Sequence, residues 1–184
     1  LTPFHTSSPA ETRAFGATLA EVLEPGDIVL LAGELGAGKT TLVQGIGDRF
    51  GVSEPMTSPT FTLMRTYDTS PAIAHVDIWR VEHLHEVLDL GLEEVLEDGG
   101  IALVEWGDVI LPHLGRDAIL VRLSRVPADA GDAGGPDVAD GAAGRGGASG
   151  EDEREITVQA VSTAPTSSAE ARVAKLTAVM RVAG

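Results

Sequence analysis

The sequence contains no cysteine, and that one absence removes disulfides, thiolate zinc sites and a cysteine nucleophile together. It is also short of basic residues, with 13 Lys and Arg against 28 Asp and Glu and a formal net charge of −15. Lys and Arg are what displace counterions from a nucleic-acid backbone, so direct tight binding to nucleic acid is disfavoured and any such role is indirect. Aromatic residues amount to only 4%. No window is long and apolar enough for a membrane span, and the opening LTPFHTSSPAETRAFG has no basic segment followed by an apolar run. The expectation is a soluble, cytoplasmic protein with no membrane partner.

What is present suits one globular domain. A chain of 184 residues, 43% of them hydrophobic, can bury a real core, and 22 glycines point to a loop-rich fold. The stretch GELGAGKTT, Gly33 to Thr41, carries the most information. It follows the apolar run DIVLLA and precedes LVQGIGDRFG, where Leu42, Val43, Ile46 and Phe50 recur at helical spacing. Strand, glycine loop and helix in that order match G-x-x-x-x-G-K-[ST], with Gly33, Gly38, Lys39 and Thr40 at its fixed positions. Such a loop cradles nucleotide phosphates on backbone N–H groups and a helix N-terminus. Lys39 would reach the β- and γ-phosphates and the Thr40 hydroxyl would ligate Mg²⁺. No N-K-x-D guanine-reading motif occurs, which favours ATP over GTP.

Elsewhere the pattern alternates helix and strand. SPAETRAFGATLAEVL reads as an amphipathic helix with Ser8 as N-cap and Pro9 at the first helical position, burying Phe15, Leu19, Val22 and Leu23. GVSEPMTSPT, residues 51–60, is too rich in Pro, Ser and Thr for regular structure and reads as a mobile connector. FTLMRTYD and PAIAHVDIWR read as an antiparallel hairpin joined by Thr69 and Ser70. VEHLHEVLDLGLEEVLEDGG reads as helical, interrupted at Gly91 and stopped by Gly99 and Gly100. IALVEW reads as a buried central strand ending in Glu105, and AILVRLSRV and EITVQAVS as two further strands. Residues 127–153 between them, nearly all Gly, Ala, Asp and Pro, cannot offset their ordering entropy by burial and read as a disordered acidic insertion. Residues 163–184 form a helical C-terminal extension in this reading.

A phosphate loop needs carboxylates at neighbouring strand ends to hold a metal and its waters. Asp77 and Glu105 each follow an apolar run and qualify, though each pattern also suits an ordinary strand-end acid facing water. Glu105 is taken as metal-side and Asp77 as metal-linked or water-orienting. Thr57, Ser58 and Thr60 stand where nucleotide switches sense a γ-phosphate, or form a solvated turn. His83 and His85, two apart, point to different helix faces, and no H-x-x-x-H pair exists, so the histidines read as surface or structural. Trp106 reads as core packing.

The ordered series GELGAGKTTLVQGI, SPTFTLMRTY, AHVDIWRV and IALVEW resembles the TsaE (YjeE) family, bacterial ATPases of tRNA threonylcarbamoyladenosine biosynthesis, over Ser8 to Trp106. The resemblance implies an α/β, P-loop NTPase-like three-layer fold: a mostly parallel central sheet flanked by helices, plus antiparallel strands. It implies that Leu35, Gly36, Ala37, Gly38, Lys39, Thr40 and Thr41 wrap the ATP phosphates, that Thr40 and Glu105 hold Mg²⁺, that Asp77 acts beside the nucleotide and that Thr60 is a switch threonine. Arg154, opening the last strand, would also approach the nucleotide. The long acidic insertion and the stretch after Ser162 depart from the family pattern.

The function so implied is a weak Mg²⁺-dependent ATPase serving the TsaD–TsaB complex, which transfers a threonylcarbamoyl group to adenosine 37 of tRNAs reading codons that begin with A. Contact with tRNA would be indirect. A P-loop small-molecule kinase is the alternative, but no Arg-rich lid follows the last helix. A nucleotide-gated binding module with almost no hydrolysis is the third reading.

Overall fold

A computed structural model describes residues 3–79, 81, 91–126, 152–162 and 167–183. The first half of the helix expected after Arg80, with His83 and His85, lies outside the described residues, as does the acidic insertion up to residue 151. Seven strands make one sheet: β1 (Phe4–Thr6), β2 (Ile28–Ala32), β3 (Met64–Tyr67), β4 (Ile73–Asp77), β5 (Ile101–Glu105), β6 (Ala118–Arg125) and β7 (Arg154–Val161), in the order β1-β7-β6-β2-β5-β4-β3. The four central strands run parallel, while β3, β7 and β1 pair antiparallel at the edges. Among the described residues the α-helices are α1 (Pro9–Ala20), α2 (Lys39–Phe50), α3 (Leu92–Glu97) and α4 (Ser168–Ala183).

The sequence explains this layering. Every residue of β2, β4 and β5 is buried, as strands covered on both faces require. Alternation sends Val29 and Leu31 of β2 and Leu103 of β5 to one face, where α1 and α2 add Phe15, Leu19, Leu42 and Ile46. The opposite face collects Ile28, Leu30, Ala102 and Val104 with Leu92 and Leu96 of α3. Ser8 caps α1 by accepting from the Glu11 N–H at 3.2 Å, and the Glu11 carboxylate accepts from the Ser7 N–H at 2.8 Å, so two otherwise unpaired amides are satisfied. Helices α1 and α2 meet at glycines. A Cβ built on Gly16 would stand 2.2 Å from the Leu42 carbonyl oxygen, and one on Gly45 1.9 Å from that of Arg13. Arg172 ties α4 to the turn before β2 through Asp27 at 3.1 Å and through Glu24.

The hairpin and the list of strands are corrected, while the interruption expected at Gly91 is present. The hairpin is shorter than FTLMRTYD and PAIAHVDIWR suggest, because Pro59 accepts from the Thr62 and Leu63 N–H groups at 3.0 and 2.7 Å and folds Phe61–Leu63 into a turn before β3 starts. Its connection runs from Asp68 to Ala72 rather than through two residues. Strand β1 has no counterpart in the sequence reading: three residues carry too little periodicity to be seen, and pairing with β7 is what makes them a strand. The described helix begins at Leu92, with Gly91 at φ 78 as its N-cap.

Candidate functional site

The phosphate loop leaves the C-terminal end of β2 and enters α2 through Gly38, whose φ of 104 a side chain would resist. Unlike α1, α2 has no side-chain cap hydrogen bond, so amides of its first turn stay available to an anion. A cavity of about 510 Å³ opens in front of them, lined by the loop, by Thr40 and Thr41, and by residues from β4, β5 and the 51–60 connector. Leu35, Gly36 and Gly38 line it, whereas the Ala37 side chain turns into the core and is fully buried. The backbone of Ala37 still takes part, since its carbonyl accepts from Arg154 Nε at 3.1 Å. Arg154 thus reaches the phosphate loop from β7. Arg125, its partner in the β6–β7 register, reaches the Gly36 carbonyl at 3.2 Å.

Parallel pairing of β4 with β5 puts Asp77 opposite Glu105 at the same sheet edge. Both carboxylates are almost wholly buried, and each is hydrogen-bonded. Thr40 Oγ1 donates to Glu105 at 2.8 Å from Oε1 and 3.0 Å from Oε2. Asp77 Oδ2 accepts from Thr60 Oγ1 at 2.9 Å and from Ser58 Oγ, and Oδ1 accepts from the Trp79 N–H at 3.0 Å. The connector is therefore pinned over the cavity by one carboxylate. Lys39 donates to the Gly33 and Glu34 carbonyls at 2.7 and 3.0 Å and lies 3.6 Å from the Trp106 ring centre. Burial holds its ammonium below the ordinary value, while Glu105, Asp77, Asp108 and Glu34 pull it back up.

The family model for "Threonylcarbamoyl adenosine biosynthesis protein TsaE" matches residues 6–130. The chain belongs to the TsaE family. The TsaE of Bacillus subtilis is 34% identical over 159 residues, covering 86% of this chain and 85% of that one. The TsaE of Streptomyces coelicolor is 41% identical over 124 residues, 65% of this chain and 83% of the relative. The crystal structure of YdiB from Bacillus subtilis superposes with a TM-score of 0.67 at 27% identity, covering 97% of this chain and 95% of that one. The TsaE fold is thus present: mixed α/β, its sheet parallel in the centre and flanked by helices.

Sequence reasoning missed several residues here. Trp106 is not simply core: with φ 62 it turns out of β5, lines the cavity beside Lys39 and packs against Trp79 with ring centres 4.1 Å apart and the rings tilted by 43°. A tryptophan following a strand-end acid gave no signal of that backbone turn. Ser58 and Thr60, both read as switch candidates, meet on Asp77, a link that only the fold could supply. His75, fully buried, meets Glu105 Oε1 through Nε2 at 2.9 Å. An ionisable residue inside the apolar run IAHV was the available clue.

The set also fits a hard cation. Mg²⁺ is held by one or two protein oxygens together with phosphate oxygens and waters, and Thr40 and Glu105 present such oxygens beside the phosphate loop. No group of three or more metal-ligating side chains occurs among the described residues, and none is needed for that mode. No helix among them is long and apolar enough to cross a membrane.

Proposed function

We propose that this chain is a Mg²⁺-dependent ATPase of tRNA threonylcarbamoyladenosine biosynthesis, acting through a TsaD–TsaB transferase complex rather than on tRNA itself. Family membership supports the role in that modification. The observation that carries the ATPase reading is the Thr40–Glu105 hydrogen bond, which sets a metal-binding hydroxyl and carboxylate at the mouth of a lysine-bearing phosphate loop.

Mg²⁺, when bound, would neutralise charge developing on the β- and γ-phosphate oxygens. Thr40 and Glu105 hold it in this reading. Lys39 would direct its ammonium to the same oxygens, and the loop amides with the α2 N-terminus would complete the anion cradle. Asp77 holds Ser58 and Thr60 at the cavity, so with a nucleotide bound their hydroxyls and the Asp77 carboxylate would be the groups able to orient an attacking water. Arg154 and Arg125 brace the loop from outside through its carbonyls. The acidic surface suits a component that leaves tRNA to its partners.

The test is ATP hydrolysis by the purified protein with Mg²⁺, alone and with TsaD–TsaB and tRNA. The account expects slow turnover alone and sustained threonylcarbamoyl transfer only when this chain is added. Transfer that proceeds equally without it, or phosphate passed to a metabolite, would overturn the proposal.

A further inference from the structure

Among the described residues His75 is the one buried imidazole, and it does not line the cavity. It sits two residues before Asp77 on β4, on the same face as Asp77 and Glu105. Nε2 lies 2.9 Å from Glu105 Oε1, while Nδ1 has no hydrogen-bond partner among the described residues. As the carboxylate of a cation site, Glu105 can only accept. Nε2 then donates to Glu105, and Nδ1 is left buried without a hydrogen-bond partner among the described residues.

A buried ring nitrogen without a partner carries a desolvation cost, and the neighbours Ile73, Ala74 and Val76 show what stability alone would select. Packing therefore does not account for the imidazole. Glu105 does. Its Oε1 accepts from both His75 and Thr40, while among the described residues Oε2 accepts from Thr40 alone. Two donors from different elements, β4 and α2, fix the carboxylate plane, with Oε2 the oxygen carrying fewer bonds. An outer group that orients a metal ligand in this way commonly changes metal affinity 10- to 100-fold when removed.

We infer that His75 is a positioning residue: through its Nε2–H it locks the Glu105 carboxylate in the orientation that couples Mg²⁺ to nucleotide binding. The inference rests on the Mg²⁺·ATP reading of the site. It concerns the coupling between metal and nucleotide, so nucleotide affinity in the absence of metal is set by the phosphate loop and is independent of His75.

The measurement is the dissociation constant of a non-hydrolysable ATP analogue, with Mg²⁺ and with EDTA, followed by the emission of the only two tryptophans, Trp79 and Trp106, both of which line the cavity. The ratio of the two constants is the coupling. His75→Leu should melt at or above the wild-type temperature, keep the EDTA constant within about twofold and lose about 10-fold or more of the coupling. Rescue separates positioning from packing. His75→Gln sets an amide N–H close to the Nε2 position and should retain most of the coupling, whereas His75→Asn, which reaches only to the Nδ1 position, should lose it. This pair decides the matter even if the leucine variant fails to fold. Unchanged coupling in His75→Leu, or equal coupling in the Gln and Asn variants, overturns the positioning role and leaves the ATP site intact. Wild-type protein that binds the analogue in neither condition overturns the ATP reading itself, and this inference with it.

Discussion

Gly45→Ala should destabilise the protein, although the same change in the middle of most helices does the opposite. Replacing a mid-helix glycine by alanine ordinarily gains about 1 kcal/mol. Here the new Cβ would stand 1.9 Å from the Arg13 carbonyl oxygen, 2.8 Å from its carbon and 3.1 Å from the Ala17 nitrogen, all of them backbone atoms of α1. No side chain can rotate away, so α1 and α2 must separate by over about 1 Å to restore van der Waals contact near 3.5 Å. Overpacking of a close-packed interior costs about 1–3 kcal/mol, and a rigid backbone neighbour puts this case at the upper end. Subtracting the propensity gain leaves a net loss of about 2 kcal/mol. For a chain of this size that lowers the melting temperature by about 4–8 °C. In urea the midpoint should fall with the slope unchanged. Because α2 opens with Lys39 and Thr40, nucleotide binding should weaken as well. Gly51→Ala is the comparison: its Cβ meets nothing within 4 Å, and only its φ of 81 penalises it, by about 1–2 kcal/mol. A Gly45→Ala variant as stable as wild type would refute the close helix contact.

Lys39→Met should raise the stability of the ligand-free protein while abolishing ATP binding. Burial holds the Lys39 ammonium below its ordinary value of 10.5. The folded protein then binds fewer protons than the unfolded one between the lowered value and 10.5, so the cost is full at neutral pH and fades as pH rises through that window. Melting curves at pH 7 should favour the methionine variant, by a margin that shrinks as pH rises through that window, and an equal or lower melting temperature would contradict this. Glu11→Gln probes the cap of α1. Backbone and side-chain donors of Ser7 hold the Glu11 carboxyl below its ordinary 4.5, so its contribution is complete above 4.5 and is lost as pH falls through the lowered value. Thermal melts should show wild type above Glu11→Gln at pH 7 and the two converging in acid, and a gap that persists there would argue against the capping interaction.

How much of this was legible in the sequence depends on the range of each signal. The phosphate loop, its strand and its helix are contiguous, and GELGAGKTT between two apolar runs of different period specifies them locally. The Ser8 cap and the acids ending β4 and β5 are local signals too, since a charge closing an apolar run marks a strand edge. What stayed hidden depends on pairing. That Asp77 and Glu105 are register partners, that Ser58 reaches Asp77 across 19 positions and that His75 reaches Glu105 across 30 follow only once β4 lies beside β5. Trp106 packs against the core as read, but its place beside Lys39 stayed hidden because its left-handed backbone is imposed where β5 ends, and no property of tryptophan announces it. β1 was missed for a similar reason, since its partner β7 lies some 150 positions later and supplies the hydrogen bonds that define it.

The most direct test of the central claim is a calorimetric titration of wild type, Thr40→Ala and Glu105→Gln with ATP, in Mg²⁺ and in EDTA. If Thr40 and Glu105 form the cation site of an ATP cleft, wild type binds ATP more tightly with Mg²⁺ than without. Both variants should then lose that difference while keeping their affinity in EDTA. Wild-type affinity that is indifferent to Mg²⁺, or variants that keep the full Mg²⁺ dependence, would contradict the account.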